Sequence, residues 1–465
     1  MDVDKKKKLR SLKVIISEAI MVLAVIITVA VLAFIVSGYW INSDFEVERQ
    51  GMLQISSVPT GATVNIDGED SSWLQRTNTS KVLTSGEHTI TLTKEDYDSW
   101  NKTVDIKEGL LYRLHYPRLF LKDRTPEKIM SLSGTTAATI SSDREAMVLM
   151  NNTTKWSYLK LNAEEPESKP LDIAKYFSGV SLADSAPTGL FTSEIIDVNW
   201  DFDDAHILFE VKTGDSIEWV LIDVNNPEKS INLTKEFGFN FNKIEIIDNS
   251  ASTLLAIQNG NLHKIDVPSR QISASLVKDV ISFDHFKNEI VFTAKNTEAY
   301  YVGFFKIGDS KPIELTTLEQ PAKVLISKFY DEKYITILQD TKLSVYKKDD
   351  FVEYSSFDLS FAPEEMEVGH DGEFITMNTG SRIATLDMEA GLIREWNADG
   401  EHFDWIDNDM IYAVNNGELI VYDFDGFNRR ALSKNVSSHF PAGITDNKWL
   451  YYVSDDDLMR ELITR

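Results

Sequence analysis

Apolar positions along this chain fall into three regimes. The first is an unbroken run over residues 19–41, AIMVLAVIITVAVLAFIVSGYWI, without a charged residue. At about 1.5 Å rise per residue, a helix of that length covers a hydrocarbon core of roughly 30 Å. The run predicts one transmembrane helix. The second regime is alternation with a period of two, from Leu53 and Ile55 to Ala62, Val64 and Ile66, the pattern of strands with one buried face. Pro59-Thr60-Gly61 breaks it and Asp67-Gly68 supplies a tight turn. Further strands read at 81–83, 88–93 and 100–106, so residues 51–108 predict a small β-sandwich behind a polar linker at 42–50.

The third regime is a repeat. An alternating run that ends in a charged residue recurs at 219–224, 262–267, 304–307, 343–347, 383–388 and 419–424, with an earlier copy at 156–161. Copies stand about 36 to 43 residues apart, the length of a four-stranded propeller blade. Upstream of each copy lies a strand with an acidic end, as at Asp201, Asp248, Asp284 and Asp407. Downstream a polar strand closes the unit, as at 230–234. Dividing the repeated region by the blade length predicts eight blades, with seven as the alternative. The last unit supplies three strands, and 116–121 is expected to add the missing outer strand and close the ring. Residues 162–191 exceed the repeat, and insertions map to loops on one face, often the binding face. The fold class is therefore an all-β external region, a sandwich plus a propeller over 109–465, behind a single N-terminal helix.

Two resemblances add to this reading. Gly51, the strand Leu53-Gln54-Ile55-Ser56, Pro59-Thr60-Gly61-Ala62, Val64-Asn65-Ile66-Asp67-Gly68, Gly86-Glu87-His88 and Tyr97 together resemble the PEGA domain. Thr60 stands where that family usually has Glu, and the segment after Gly68 is longer and more polar than usual. The resemblance implies a non-catalytic module of bacterial and archaeal envelope proteins. The stretch Asn199-Trp200-Asp201-Phe202-Asp203-Asp204-Ala205-His206-Ile207-Leu208-Phe209 is similar to the TolB-type propeller repeat, with Phe202 and Asp204 replacing its Pro and Gly. The Gly-His and Trp-Asp marks of WD repeats are missing.

Charge sets the topology. Lys5, Lys6, Lys7, Lys8, Arg10 and Lys13 precede the apolar run within a basic tail at 1–18, while Asp44, Glu46 and Glu48 follow it. Basic residues stay on the cytoplasmic side, so the tail is expected inside and the rest of the chain outside. Tyr39 and Trp40 are expected at the membrane interface. The run is longer than a signal peptide's apolar region, and Val36-Ser37-Gly38 is followed at once by Tyr39-Trp40-Ile41. An uncleaved anchor is therefore expected over a cleaved leader. The formal charge is −26, which repels nucleic acid and favours basic partners.

Candidate chemistry is sparse. The chain has no cysteine, so disulfides and thiol catalysis are excluded. No metal-binding histidine spacing, nucleophile elbow, phosphate loop or dinucleotide fingerprint occurs. Asp201, Asp203 and Asp204, and the run Asp455-Asp456-Asp457, offer oxygens for Ca²⁺ without the spacing of a calcium loop; Asp is also a good turn former, and no cofactor is expected. Most tryptophans sit in alternating strands, where packing is the plain reading; Trp73, in a polar loop, is a candidate for surface recognition. The expected function is a membrane-anchored envelope protein that binds or scaffolds an envelope protein or cell-wall polymer. The alternative is an extracytoplasmic glycan lyase or hydrolase with carboxylates at the channel mouth.

Overall fold

A computed structural model describes residues 3–36, 39–41, 47–68, 76–152, 156–162, 164–181, 190–201, 203–247, 250–369 and 372–465. The chain forms two compact units, the first through Asp123 and the second from Arg124.

The first unit opens with a helix, Val3–Val36. Its segment Ile16–Phe34 has a mean hydropathy of 2.6 with none of it buried, long and apolar enough to cross a membrane. A signal sequence has the same properties. The helix stops short of the expected Ile41: Tyr39–Ile41 is a strand paired antiparallel with Val47–Ile55. Backbone donors at 39–41 thus find sheet partners instead of helical ones.

That strand pair belongs to a sandwich. Its first sheet adds Thr79–Thr84 antiparallel and Leu111–Leu114 parallel to Val47–Ile55. The second sheet is Thr63–Ile66, Gly86–Thr93 and Trp100–Ile106. Alternation places Leu53, Ile55, Val64, Ile90, Leu92, Trp100 and Val104 in the core between them. Thr77 explains the Pro-Thr-Gly-Ala turn: its buried hydroxyl accepts the backbone N–H groups of Gly61 (2.9 Å) and Ala62 (3.1 Å). Gly51 is required because a Cβ there would collide with the Lys107 carbonyl oxygen.

Residues 116–121 do not join the propeller. Leu119 donates to the Val58 carbonyl (2.8 Å) and Val58 to that of Pro117 (2.9 Å), and Leu119 and Phe120 are fully buried in the sandwich. The sandwich unit therefore extends past the expected boundary at 108.

Among the described residues, the second unit is a ring of eight four-stranded sheets, with a further two-stranded sheet, Val180–Ser181 and Leu190–Phe191, between blades 1 and 2 in the chain. Blades 1 to 7 occupy 135–171, 194–232, 243–272, 280–318, 323–358, 365–397 and 401–433. Within each of these seven blades, strands A to D follow chain order, and the A strands of blades 2 and 3, 4 and 5, and 5 and 6 touch beside the central channel. The recurring run read from the sequence is strand C. Blade 8 takes strands A to C from Gly443–Thr445, Trp449–Ser454 and Asp457–Leu462, and strand D from Glu127–Ser131. The ring closes with an N-terminal strand, but a polar one about ten residues beyond the apolar run expected to do it. Apolar side chains pack between successive blades from 8 through 1 to 6; Met147, Leu149 and Leu159 of blade 1 meet Tyr451, Val453 and Leu458 of blade 8.

Two local readings change. The closing strand expected at 230–234 is only Ile231–Asn232, because the Asn232 side chain accepts the Lys235 N–H and starts a short helix, Leu233–Phe237. The insertion is also shorter than expected, since Glu167–Leu171 is strand D of blade 1. What remains docks through Phe177 and Phe191, packed against Trp156 at 5.2 and 5.0 Å. Its residues 182–189 lie outside the described set.

Candidate binding site at the channel mouth

Alternation along the A strands decides what faces the channel. In blade 6, Met366 and Val368 pack against the core between blades, which turns Glu365 and Glu367 the other way. Asp404 holds the matching position in blade 7, Asp197 in blade 2, Lys243 and Glu245 in blade 3, and Asp284 in blade 4. These groups feel one another across the ring. The Asp197 carboxylate of blade 2 acts on Glu367 of blade 6, four blades away.

The result is a field of crowded carboxylates. Burial, then Asp404, Glu365 and Asp197, push the Glu367 carboxyl up to about 7. Its side chain touches solvent, yet protein surrounds it, so water in the channel screens it poorly. Burial also raises Asp404, against the opposing pull of Arg144 and of the Trp405 N–H, which donates to it at 2.7 Å. Asp284 is pushed up to about 6 by burial and Glu245, although Ile326 of blade 5 donates a backbone N–H to it at 2.7 Å. Lys243 is the converse. Burial lowers it, but Glu245, Asp284 and Asp197 outweigh that and hold it above its ordinary value.

At one mouth, between blades 6, 7 and 8, this field opens into a cavity of about 790 Å³. Glu364, Glu365, Glu367 and Asp404 supply its charge; Phe403, Trp405, Tyr412 and Phe440 supply its aromatic walls. Arg144 is engaged with the Trp405 carbonyl (2.9 Å), and Lys323 donates to that of Glu364. Carboxylates beside aromatic rings suit an ammonium or guanidinium group, through charge-assisted hydrogen bonds and cation–π contact.

The residues singled out from the sequence lie elsewhere. Asp201 is buried and closes the A–B turn of blade 2, accepting from Ala205 N–H (2.8 Å), His206 N–H (2.9 Å) and His206 Nδ1 (2.7 Å). Asp203 is exposed in the same turn. Asp204 is half-buried, and burial together with the hydrogen bond and charge of Asp143 push it up to about 8. In a propeller the A–B turns share one rim, opposite the D–A connections that border the cavity at 438–441. The described residues of the inserted segment, 172–181 and 190–193, also belong to a D–A connection, that between blades 1 and 2. Trp73 lies outside the described residues. Lys5, Lys6, Lys7, Lys8, Arg10 and Lys13 fall on the helix backbone, with side chains outside the described set. The Tyr39 ring stacks on Phe34 at 5.3 Å, with the Arg49 guanidinium 5.7 Å from its centroid; the Trp40 side chain is not among those described.

The enzyme alternative read from the sequence put carboxylates at the channel mouth without singling out Glu367 or Asp404. The available signal was the phase of acidic residues within the A strands. Asp284, expected as the acidic end of its strand, sits inside Val280–Phe286.

Residues 50–117 match the PEGA domain. No curated protein matches the chain. Similar solved structures include the Dos1 propeller, at 11% identity and a TM-score of 0.41 over 73% of this chain and 94% of that one. Hsv2 of Kluyveromyces lactis is similar at 8% identity and a TM-score of 0.42, over 65% of this chain and 98% of that one. At those scores neither bears on function, and the eight blades stand on the sheet pairing itself.

Proposed function

We propose that this chain is a single-pass scaffold of the cell envelope whose propeller captures a basic segment of a partner protein at the channel mouth. The basic tail would lie in the cytoplasm and both β units outside, as the charge asymmetry about the helix favours. A PEGA domain joined to a propeller is an interaction module by construction. The observation that carries the finer reading is the cavity of crowded carboxylates and aromatic walls between blades 6 and 8. A cation entering it would favour the ionised form of Glu367, which burial and then the neighbouring carboxylates disfavour. An anionic wall polymer or nucleic acid would add to that repulsion, so a basic protein segment is the better fit.

A glycan hydrolase is the second reading, because Glu367 is poised near neutral pH beside another carboxyl. That chemistry needs one carboxyl protonated and its partner ionised. Here burial raises both groups, and the Asp404 charge raises Glu367 further.

The test is equilibrium binding of an arginine- and lysine-rich peptide to the full chain in nanodiscs, followed by fluorescence anisotropy. The wild type should bind it in preference to a citrulline and norleucine analogue, and E367Q/D404N should lose about tenfold or more in affinity, about 1.4 kcal/mol. Equal affinity for both peptides, or for wild type and variant, would reject the proposal.

A further inference from the structure

We infer that the outer face of the sandwich's first sheet rests on the lipid bilayer entered by the N-terminal helix. The observation is a row of apolar side chains in register. Met52 stands opposite Val82 on one side and Leu111 on the other. The three are 42%, 58% and 39% exposed, and neighbouring Leu110 is 59% exposed. Isolated exposed apolar residues need no explanation, but a contiguous cross-strand row facing away from the core does.

Topology says what covers it. The helix ends at Val36 and the first strand begins at Tyr39, whose ring stacks on Phe34. The chain runs away from the helix through Tyr39–Ile41 and returns along Val47–Ile55, with Arg49 opposite Tyr39. Met52 therefore lies three residues beyond Tyr39 on the side of the helix end, about 10 Å at a strand's rise. The apolar row belongs to the part of the sandwich next to the helix end. Alternation places Gln50, Gln54, Ser80, Thr84 and Arg113, all neutral or basic, on the same face around the row, and the acid of Val47–Ile55 in that phase, Glu48, stands four residues from Met52, in a chain of net charge −26. In an acidic protein, an exposed apolar centre ringed closely by neutral and basic side chains is matched to lipid headgroups and the upper acyl chains.

This inference rests on the helix being a membrane anchor, and the experiment separates the two. The chain has no cysteine, so single-cysteine variants L23C, V82C and D105C can each carry an environment-sensitive fluorophore without background. Asp105 is exposed on the second sheet. Each full-length variant is placed in nanodiscs, one copy per disc, with and without nitroxide-bearing lipid. The expected result is quenching at 23 and 82, with at least twofold more at 82 than at 105. Quenching at 23 with 82 no different from 105 would overturn the bilayer face while leaving the anchor intact. No quenching at 23 would overturn both. Shielding of the label at 82 that develops only with two copies per disc would assign the face to a second copy and overturn the lipid assignment.

Discussion

Glu367 shows how one residue's surroundings decide its role. The folded protein holds its proton up to about pH 7, where an ordinary glutamate releases it near 4.5. The folded state binds more protons than the unfolded state across that window, so stability falls as pH rises through it and levels off above. E367Q, which cannot ionise, should match the wild type in melting temperature near pH 4.5, exceed it increasingly up to pH 7, and keep a constant lead beyond. Thermal melting from pH 4.5 to 8.5 checks this; a difference that does not change with pH would mean Glu367 is ordinarily solvated. This scale was the least legible in the sequence. Asp201 and Asp284 look alike there, each near the end of an apolar strand. Their roles diverge because one bonds the backbone of its own turn and the other reaches the inner strand of the next blade.

At the level of elements, the closing blade tests whether the ring is held by its two ends. Arg460 is buried on strand C of blade 8 and binds Glu127 on the incoming strand D (2.7 Å) and the Glu164 carbonyl of blade 1 (2.9 Å). Its guanidinium also lies 4.2 Å from the Trp449 ring centroid. R460A should lower stability by about 1–3 kcal/mol, because it strips a buried network of its donor. E127A, at the more exposed partner, should lose less. Urea unfolding followed by tryptophan fluorescence reads both, and equal small effects would mean closure does not depend on this contact. The repeat of strand C was legible because these strands are buried on both faces and read as apolar runs. The closing strand was not. An outermost strand such as Glu127–Ser131 is mostly exposed and shows no apolar pattern, whereas 116–121 is apolar because it packs in the sandwich. The short helix at 233–237 escaped notice for a similar reason: Asn232 sets its start by a side-chain cap, and a cap leaves no periodicity.

Over the whole molecule, the account joins a helix fit to anchor the chain, a sandwich with an exposed apolar row, and an acidic ring whose channel is crowded with carboxylates. Order of elements and fold class were legible from hydropathy alone. The cavity was not, because it exists only where strands far apart in the chain, 365–368 and 401–405, meet the connection at 438–441. Its location is the central claim, and it can be read directly. A lysine- and arginine-rich peptide carrying a photoreactive group would be crosslinked to the full-length protein in nanodiscs and the adducts mapped by mass spectrometry. The account predicts adducts within 364–381, 400–412 and 438–441, all suppressed by excess unlabelled peptide. Adducts concentrated on the opposite rim, at the A–B turns around Asp143 and Asp201 to Asp204, or spread evenly over the acidic surface, would contradict it.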